Sequence, residues 1–161
     1  MPFIITWVDQ PKIATETVCV ATPFSPLSLV TVGDVVVATD WLSDDDLDAA
    51  DGFPALAQYW LEPTANIPIT LKSCGTLHQQ RIWRAMCEIP FGCTVTYGAL
   101  AKRLGSNPRV VGNACRANPF PLLVPCHRVV GASCSGGYCG HTEGSWWVLK
   151  QQLLAFEQRC F

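Results

Sequence analysis

Cys126 and His127 stand side by side in Pro125-Cys126-His127-Arg128-Val129, a stretch that seats a thiol next to an imidazole. A free thiol has a pKa near ~8.5, so only a small fraction is thiolate at neutral pH unless a base or a positive field helps. An imidazole gives that help directly or through one water, provided a third group holds the ring. Taken alone the pair is weak in a chain of nine cysteines, where a buried structural thiol beside a satisfied histidine is the plain alternative. The cysteines are scattered, odd in number and without a C-x-x-C pair. They read as core residues or reactive thiols of a reducing compartment, not as a disulfide framework.

The elements that must position this pair follow from length and pattern. With 161 residues, 49% of them hydrophobic, the chain can bury one ordinary domain or a small and a medium one. The pattern predicts an α+β protein: a small β-rich N-terminal domain with a connector over 1–74, then a mainly helical domain over 75–161. Phe3–Val8, Thr17–Thr22, Leu27–Val32 and Val35–Thr39 are short β-branched or aromatic runs, and Gly33-Asp34 is a two-residue hairpin signal. Ala49–Tyr59 reads as a short helix, and Leu61–Gly75, holding Pro63 and Pro68, reads as the connector.

The second part is better punctuated. Thr76 and Gln79 form a capping box, and Ile82, Ala85, Met86 and Ile89 recur at helical spacing until Pro90 and Gly92. Tyr97, Leu100, Ala101 and Leu104 repeat that spacing behind Thr96 as cap, with Gly105 as terminator. Pro108, with Asn107 as cap, opens a further helix to about Arg116. Two short helices across so tight a turn form a helix-turn-helix candidate. Arg109, Gly112, Asn113 and Arg116 fall on one stripe of the second helix, and Val111, Ala114 and Cys115 on the other. Two arginines, an amide and a glycine can approach a phosphate backbone closely.

Charge divides the chain the same way. Residues 1–74 hold two bases against ten acids, a balance of −8, whereas residues 75–161 hold nine bases against three acids, a balance of +6. A basic domain beside an acidic one suggests a polyanionic partner for the former. The run Asp44-Asp45-Asp46-Leu47-Asp48 reads as a solvated loop or helix start. No apolar run reaches ~18 residues, so no membrane partner is expected. The start, Met1-Pro2-Phe3, lacks the basic segment of a signal peptide, so a cytoplasmic or nuclear location is expected.

In order along residues 76–158, the chain resembles the O6-alkylguanine-DNA alkyltransferases, also called methylated-DNA–protein-cysteine methyltransferases. The matching elements are Ile89-Pro90-Phe91-Gly92, Thr96-Tyr97, Arg109-Val110-Val111-Gly112, Arg116-Ala117-Asn118-Pro119, the Cys-His motif, Gly137-Tyr138-Cys139-Gly140, and Lys150 to Glu157. Residues 1–60 match only in being a small β-rich region. The resemblance implies direct reversal of DNA alkylation by a monomer without a cofactor. A damaged guanine is flipped out of the duplex from the minor-groove side, and its alkyl group moves irreversibly to the protein's own cysteine. Cys126 would be the acceptor and His127 its base through a water, with Glu157 orienting His127. Asn118 would brace the active-site turn, and Tyr97 would donate a proton to the leaving guanine or to a rotated phosphate. Arg109 would fill the gap left in the duplex. Gly112, Asn113, Arg116, Thr96 and Arg128 complete the implied DNA-binding set, with Gly112 and Ala114 small enough for close approach. Main-chain groups of Cys126 and Val129 would read the guanine edge, and Tyr138, Cys139 and Gly140 would belong to the pocket.

Two departures stand out. Cys139 replaces the family's usual serine, and the segment from Cys139 to Trp147, with His141, Glu143 and Trp146-Trp147, is several residues longer. Cys134, Cys139 and His141 are irregularly spaced for zinc, and the N-terminal part offers only Cys19 and Cys74 with no histidine, so no metal is expected. Two other classes compete: a protein that binds alkylated bases without reacting, and a cysteine hydrolase using Cys126 and His127. The first replaces the cysteine by tryptophan in relatives of that kind, and the second has no use for an arginine-bearing helix.

Overall fold

A computed structural model describes residues 3–9, 15–43, 53–133, 136–138 and 142–160. The chain divides into two compact units, Met1–Cys74 and Gly75–Phe161. The class is α+β, as expected, with a five-stranded sheet in the first unit and helices dominating the second.

In the first unit, β1 (Phe3–Val8), β2 (Glu16–Val20), β3 (Leu27–Val32) and β4 (Val35–Trp41) fall on the expected runs. Val32 pairs with Val35, so Gly33-Asp34 is the hairpin loop, and Gly33 supplies its positive φ of 57°. β2 stops short of Thr22, whose hydroxyl instead donates to the Ser25 carbonyl and accepts from the Phe24 and Ser25 amides.

The connector expected over Leu61–Gly75 is a correction. It contains β5 (Ile67–Lys72), which lies between β1 and β4 and runs parallel to both, giving the order β1-β5-β4-β3-β2. Ile67, Ile69 and Leu71 alternate into the core. Pro68 is tolerated because β4 begins only opposite Thr70, which leaves β5 with a single neighbour at the proline. α1 (Pro54–Leu61) buries Leu56 and Tyr59, and the Tyr59 ring stacks on Phe3 with centroids 4.9 Å apart. The acidic run 44–48 and residues 49–52 of the expected first helix lie outside the described residues.

The second unit follows its caps. α2 (Leu77–Cys87) opens with both halves of the Thr76–Gln79 capping box in place. α3 (Tyr97–Arg103) is capped by the Thr96 hydroxyl, and α4 (Pro108–Arg116) by Asn107 with Pro108 in the first turn. The Trp83 indole donates to the Ala114 carbonyl at 2.8 Å and locks α2 onto α4. Ala114 itself is buried, so it belongs to this core contact and not to a close-approach surface. A 3-10 turn over Cys126–Arg128 leads into β7 (Val129–Val130), which pairs in parallel with β6 (Val95–Thr96). That small ladder ties the entry of α3 to the exit of the Cys-His turn. α5 (Ser145–Arg159) buries Leu149, Lys150, Leu153 and Glu157.

Thr76→Ala removes the acceptor for the Gln79 amide and is expected to lower stability by roughly 1 kcal/mol. Urea unfolding that shows no loss would mean the box is redundant with other contacts of α2.

Candidate active site

Cys126 is placed by the loop that precedes it. Asn118 accepts the Phe120 amide at 2.9 Å through its side-chain oxygen, an Asx turn, while its side-chain nitrogen donates to the Val124 carbonyl at 2.9 Å and to the Cys126 sulfur at 3.2 Å. Turn and brace are the same residue. Within the loop Leu122 is buried at a φ of 74°, a left-handed conformation costly for a side chain of its size, so surrounding contacts hold it.

Behind the thiol, His127 is fully buried. Its Nε2 lies 2.7 Å from Glu157 Oε1. An ionised carboxylate only accepts, so Nε2 carries the proton and the neutral ring leaves Nδ1 as a bare acceptor. Among the described residues Nδ1 has no hydrogen-bond partner although it is buried. Such an atom is suited to take a proton from a neighbouring group.

Arg128 requires a correction. It is 3% exposed, so it does not face a phosphate. Its Nε donates to Glu157 Oε2 at 2.8 Å, one terminal nitrogen to Oε1 at 2.9 Å, and the other to the Ile89 carbonyl at 2.8 Å. The two-pronged pairing suits a planar guanidinium, and the Gly92 amide adds a further bond to Oε2 at 3.2 Å. Burial alone would raise the Glu157 carboxyl, but the imidazole and the guanidinium hold it well below the usual carboxylate range. Burial drives His127 below its ordinary value, Glu157 pulls against that, and Arg128 and Lys150 reinforce it. The ring is therefore in its base form at neutral pH.

Burial also pushes the Cys126 thiol up, while the Asn118 amide and the Lys150 charge pull it back. Without a base it is a thiol. Lys150 escaped the sequence reading as a site residue. It is fully buried, donates to the carbonyls of Val129 at 2.7 Å and Gly137 at 3.0 Å, and lies 5.9 Å from the Tyr97 ring centre. A signal existed: Lys150, Leu153 and Glu157 share one face of a helix whose apolar residues mark that face as buried.

A cavity of about 300 Å³ reaches Cys126, at the small end of ligand sites. α4 gives it Arg109, Gly112, Asn113 and Arg116, the stripe expected to face DNA. Tyr97, Tyr138 and Thr142 line it as well. Gly136, at a φ of 72°, packs so closely on Tyr97 that a Cβ there would sit 2.8 Å from the phenol oxygen. Thr96 lies at the α3 cap, its oxygen accepting the Ala99 amide. Val129 is fully buried, and its carbonyl already accepts from Lys150; the Cys126 carbonyl accepts from the Val129 amide. Cys139 and Gly140, like Cys134 and His141, lie outside the described residues. Cys115, on the stripe opposite the arginines, lines the cavity as well.

Residues 77–159 match the family model described as the DNA-binding domain of 6-O-methylguanine DNA methyltransferase. The chain is 37% identical over 125 residues to a methylated-DNA–protein-cysteine methyltransferase of Methanosarcina mazei, covering 76% of this chain and 75% of that protein. It is 47% identical over 87 residues to a probable methylated-DNA–protein-cysteine methyltransferase of Acanthamoeba polyphaga mimivirus, covering 52% of this chain and 56% of that protein. A crystal structure of Mycobacterium tuberculosis OGT in complex with DNA superposes with a TM-score of 0.74 at 30% identity, over 89% of this chain and 93% of that one. These likenesses define a class, the DNA-binding methyltransferases of DNA repair. Within it the chain belongs to the methylated-DNA–protein-cysteine methyltransferase family.

Arg128→Ala would leave the Glu157 carboxylate buried without its guanidinium, and a loss of about 3–5 kcal/mol in urea unfolding is expected. A change in DNA affinity with stability intact would restore a phosphate-binding role. Because the folded pKa of Glu157 is depressed, its stabilisation is complete above about pH 4.3 and is lost as pH falls toward the folded value. His127, depressed from about 6.5, likewise loses its contribution on acidification. Unfolding curves from pH 7 down to about pH 2 should therefore show falling stability, with the part of the fall below about pH 4.3 blunted in Glu157→Gln.

Proposed function

We propose that this chain repairs duplex DNA by direct reversal. It binds the minor groove, extrudes an O6-alkylguanine into the cavity and moves the alkyl group to Cys126 in one irreversible turnover. One observation carries the reading: a buried thiol reached through a cavity rimmed by Arg109 and Arg116, with the buried His127 next to it in the chain and hydrogen-bonded to the Glu157 carboxylate. A hydrolase would need no cationic helix on that rim, and a binding protein would need no base behind the thiol.

In this scheme α3 and α4 act as a helix-turn-helix, and the exposed rim of α4 lies against the phosphates. A base cannot be attacked within the stack, so extrusion precedes chemistry and costs a few kcal/mol. Arg109, exposed at the start of α4, fills the vacated space. The thiol proton of Cys126 passes through a water to His127 Nδ1, and Glu157 stabilises the imidazolium that forms. The sulfur attacks the alkyl carbon in line, the carbon–O6 bond breaks, and guanine leaves with a proton from Tyr97. The resulting thioether has no leaving group, so each molecule reacts once.

Mixing the protein with duplex DNA carrying O6-methylguanine should give one stoichiometric methyl adduct on Cys126 by peptide mass mapping. Continuous turnover or an unmodified protein would overturn the proposal. Cys126→Ala should abolish transfer while leaving DNA affinity within about twofold, because the acceptor is separate from the α4 rim; persistent labelling would assign the acceptor to another thiol. Arg109→Ala should slow repair of duplex DNA by up to the few kcal/mol that extrusion costs, yet barely affect reaction with free O6-alkylguanine. Equal losses on both substrates would make Arg109 a support of the pocket rather than a plug.

A further inference from the structure

Cys126 shares its cavity with a second thiol. Cys115, on the last turn of α4, is half-buried and lines the same space of about 300 Å³. Asn118 holds both: its main-chain amide donates to the Cys115 carbonyl at 3.3 Å and its side chain to the Cys126 sulfur at 3.2 Å. The end of α4 and the Cys-His turn are thus anchored through one residue. The thiols also sense each other. Burial raises the Cys115 pKa, and charge on Cys126 raises it further while Lys150 pulls it down. Cys115 therefore stays protonated and does not compete with Cys126 for an alkyl group.

We propose that Cys115 is the resolving thiol of Cys126, so that the pocket is a site of reversible oxidative modification in which the two join as a disulfide. The oxidant class is a hydroperoxide. The Cys126 sulfur attacks the outer peroxide oxygen and the O–O bond breaks. The thiol proton of Cys126 passes to the departing oxygen, which leaves as an alcohol or water, and the sulfur is oxidised by two electrons to a sulfenic acid. The Lys150 charge, which pulls the Cys115 pKa down, favours the charge developing on Cys115. The Cys115 sulfur attacks it, the S–O bond breaks, and the hydroxyl departs with the Cys115 proton as water. The disulfide returns to two thiols by exchange with a reducing thiol, whereas a sulfinic acid on Cys126 would not return. For a protein whose acceptor is used once, this preserves unreacted molecules through an oxidative episode. The assignment rests on Cys126 being the reactive thiol of the proposed function.

The test treats the full chain, without DNA, with limiting hydrogen peroxide. Remaining thiols are then blocked, and the protein is digested under non-reducing conditions for mass mapping. A parallel sample is reduced with dithiothreitol and assayed for methyl acceptance from duplex DNA. A peptide linking Cys115 to Cys126 should be the main disulfide, and acceptance should recover almost fully on reduction. Cys115→Ser, scored against its own untreated capacity, should recover several-fold less and accumulate sulfinic acid on Cys126. Cys126 found as sulfinic acid or paired with another cysteine in the wild type would overturn the inference, as would equal recovery in the variant. The linked peptide in a protein with no methyl acceptance before treatment would uphold the pairing and remove the proposed function. Normal acceptance without the link would remove the pairing alone.

Discussion

The carboxylate of Glu157 is buried in the last turns of α5, and three donor residues reach it from two separate segments. His127 and Arg128 come from the 3-10 turn, and Gly92 from the bend after α2. A charge so placed is unstable in the fold unless it is matched, and Arg128 supplies the match at two oxygens. The Arg128 guanidinium also reaches the Ile89 carbonyl, so the same pairing fixes the C-terminal side of α2. Much of the second unit is thereby registered on one anion. With Arg128 neutralising Glu157, His127 has no need to be cationic. It donates one proton to the carboxylate and presents a bare nitrogen on its other side.

The thiol's surroundings are built by different elements but depend on that register. Asn118 shapes the loop and touches the sulfur, while Lys150 reaches from α5 to the carbonyls beside the turn. A desolvated thiol resists ionisation, and one positive side chain does not outweigh the burial. A base at the moment of reaction is the remaining route to a thiolate, which is why the His127 tautomer matters more here than a standing charge on sulfur. The cavity then limits what can approach, with α4 bringing its arginines to the rim through the caps at Asn107 and Pro108.

Much of this was legible where the physics is local. Thr76 with Gln79, Thr96, and Asn107 with Pro108 announce helix starts because capping acts within one turn. β5 was not legible, since its parallel partner β1 lies far away in sequence and Pro68 argues against a strand unless one knows that no neighbour stands opposite it. Arg128 reads as a surface base in a basic domain because nothing near it reveals the carboxylate 29 residues on. Lys150 was hidden for the opposite reason: its helical face is plainly apolar, but its acceptors are main-chain carbonyls, which no side-chain pattern encodes. The place of Cys115 at the cavity was not legible because a helical stripe, which sets it opposite the arginines, does not show where a neighbouring loop leaves an opening.

The tautomer and charge of His127 test the account most directly. Nitrogen-15 NMR of the imidazole at neutral pH, in the protein without DNA, should show a neutral ring protonated at Nε2 with Nδ1 bare. A proton on Nδ1, or a ring protonated at both nitrogens, would contradict it, because Nδ1 could then take no proton from the thiol.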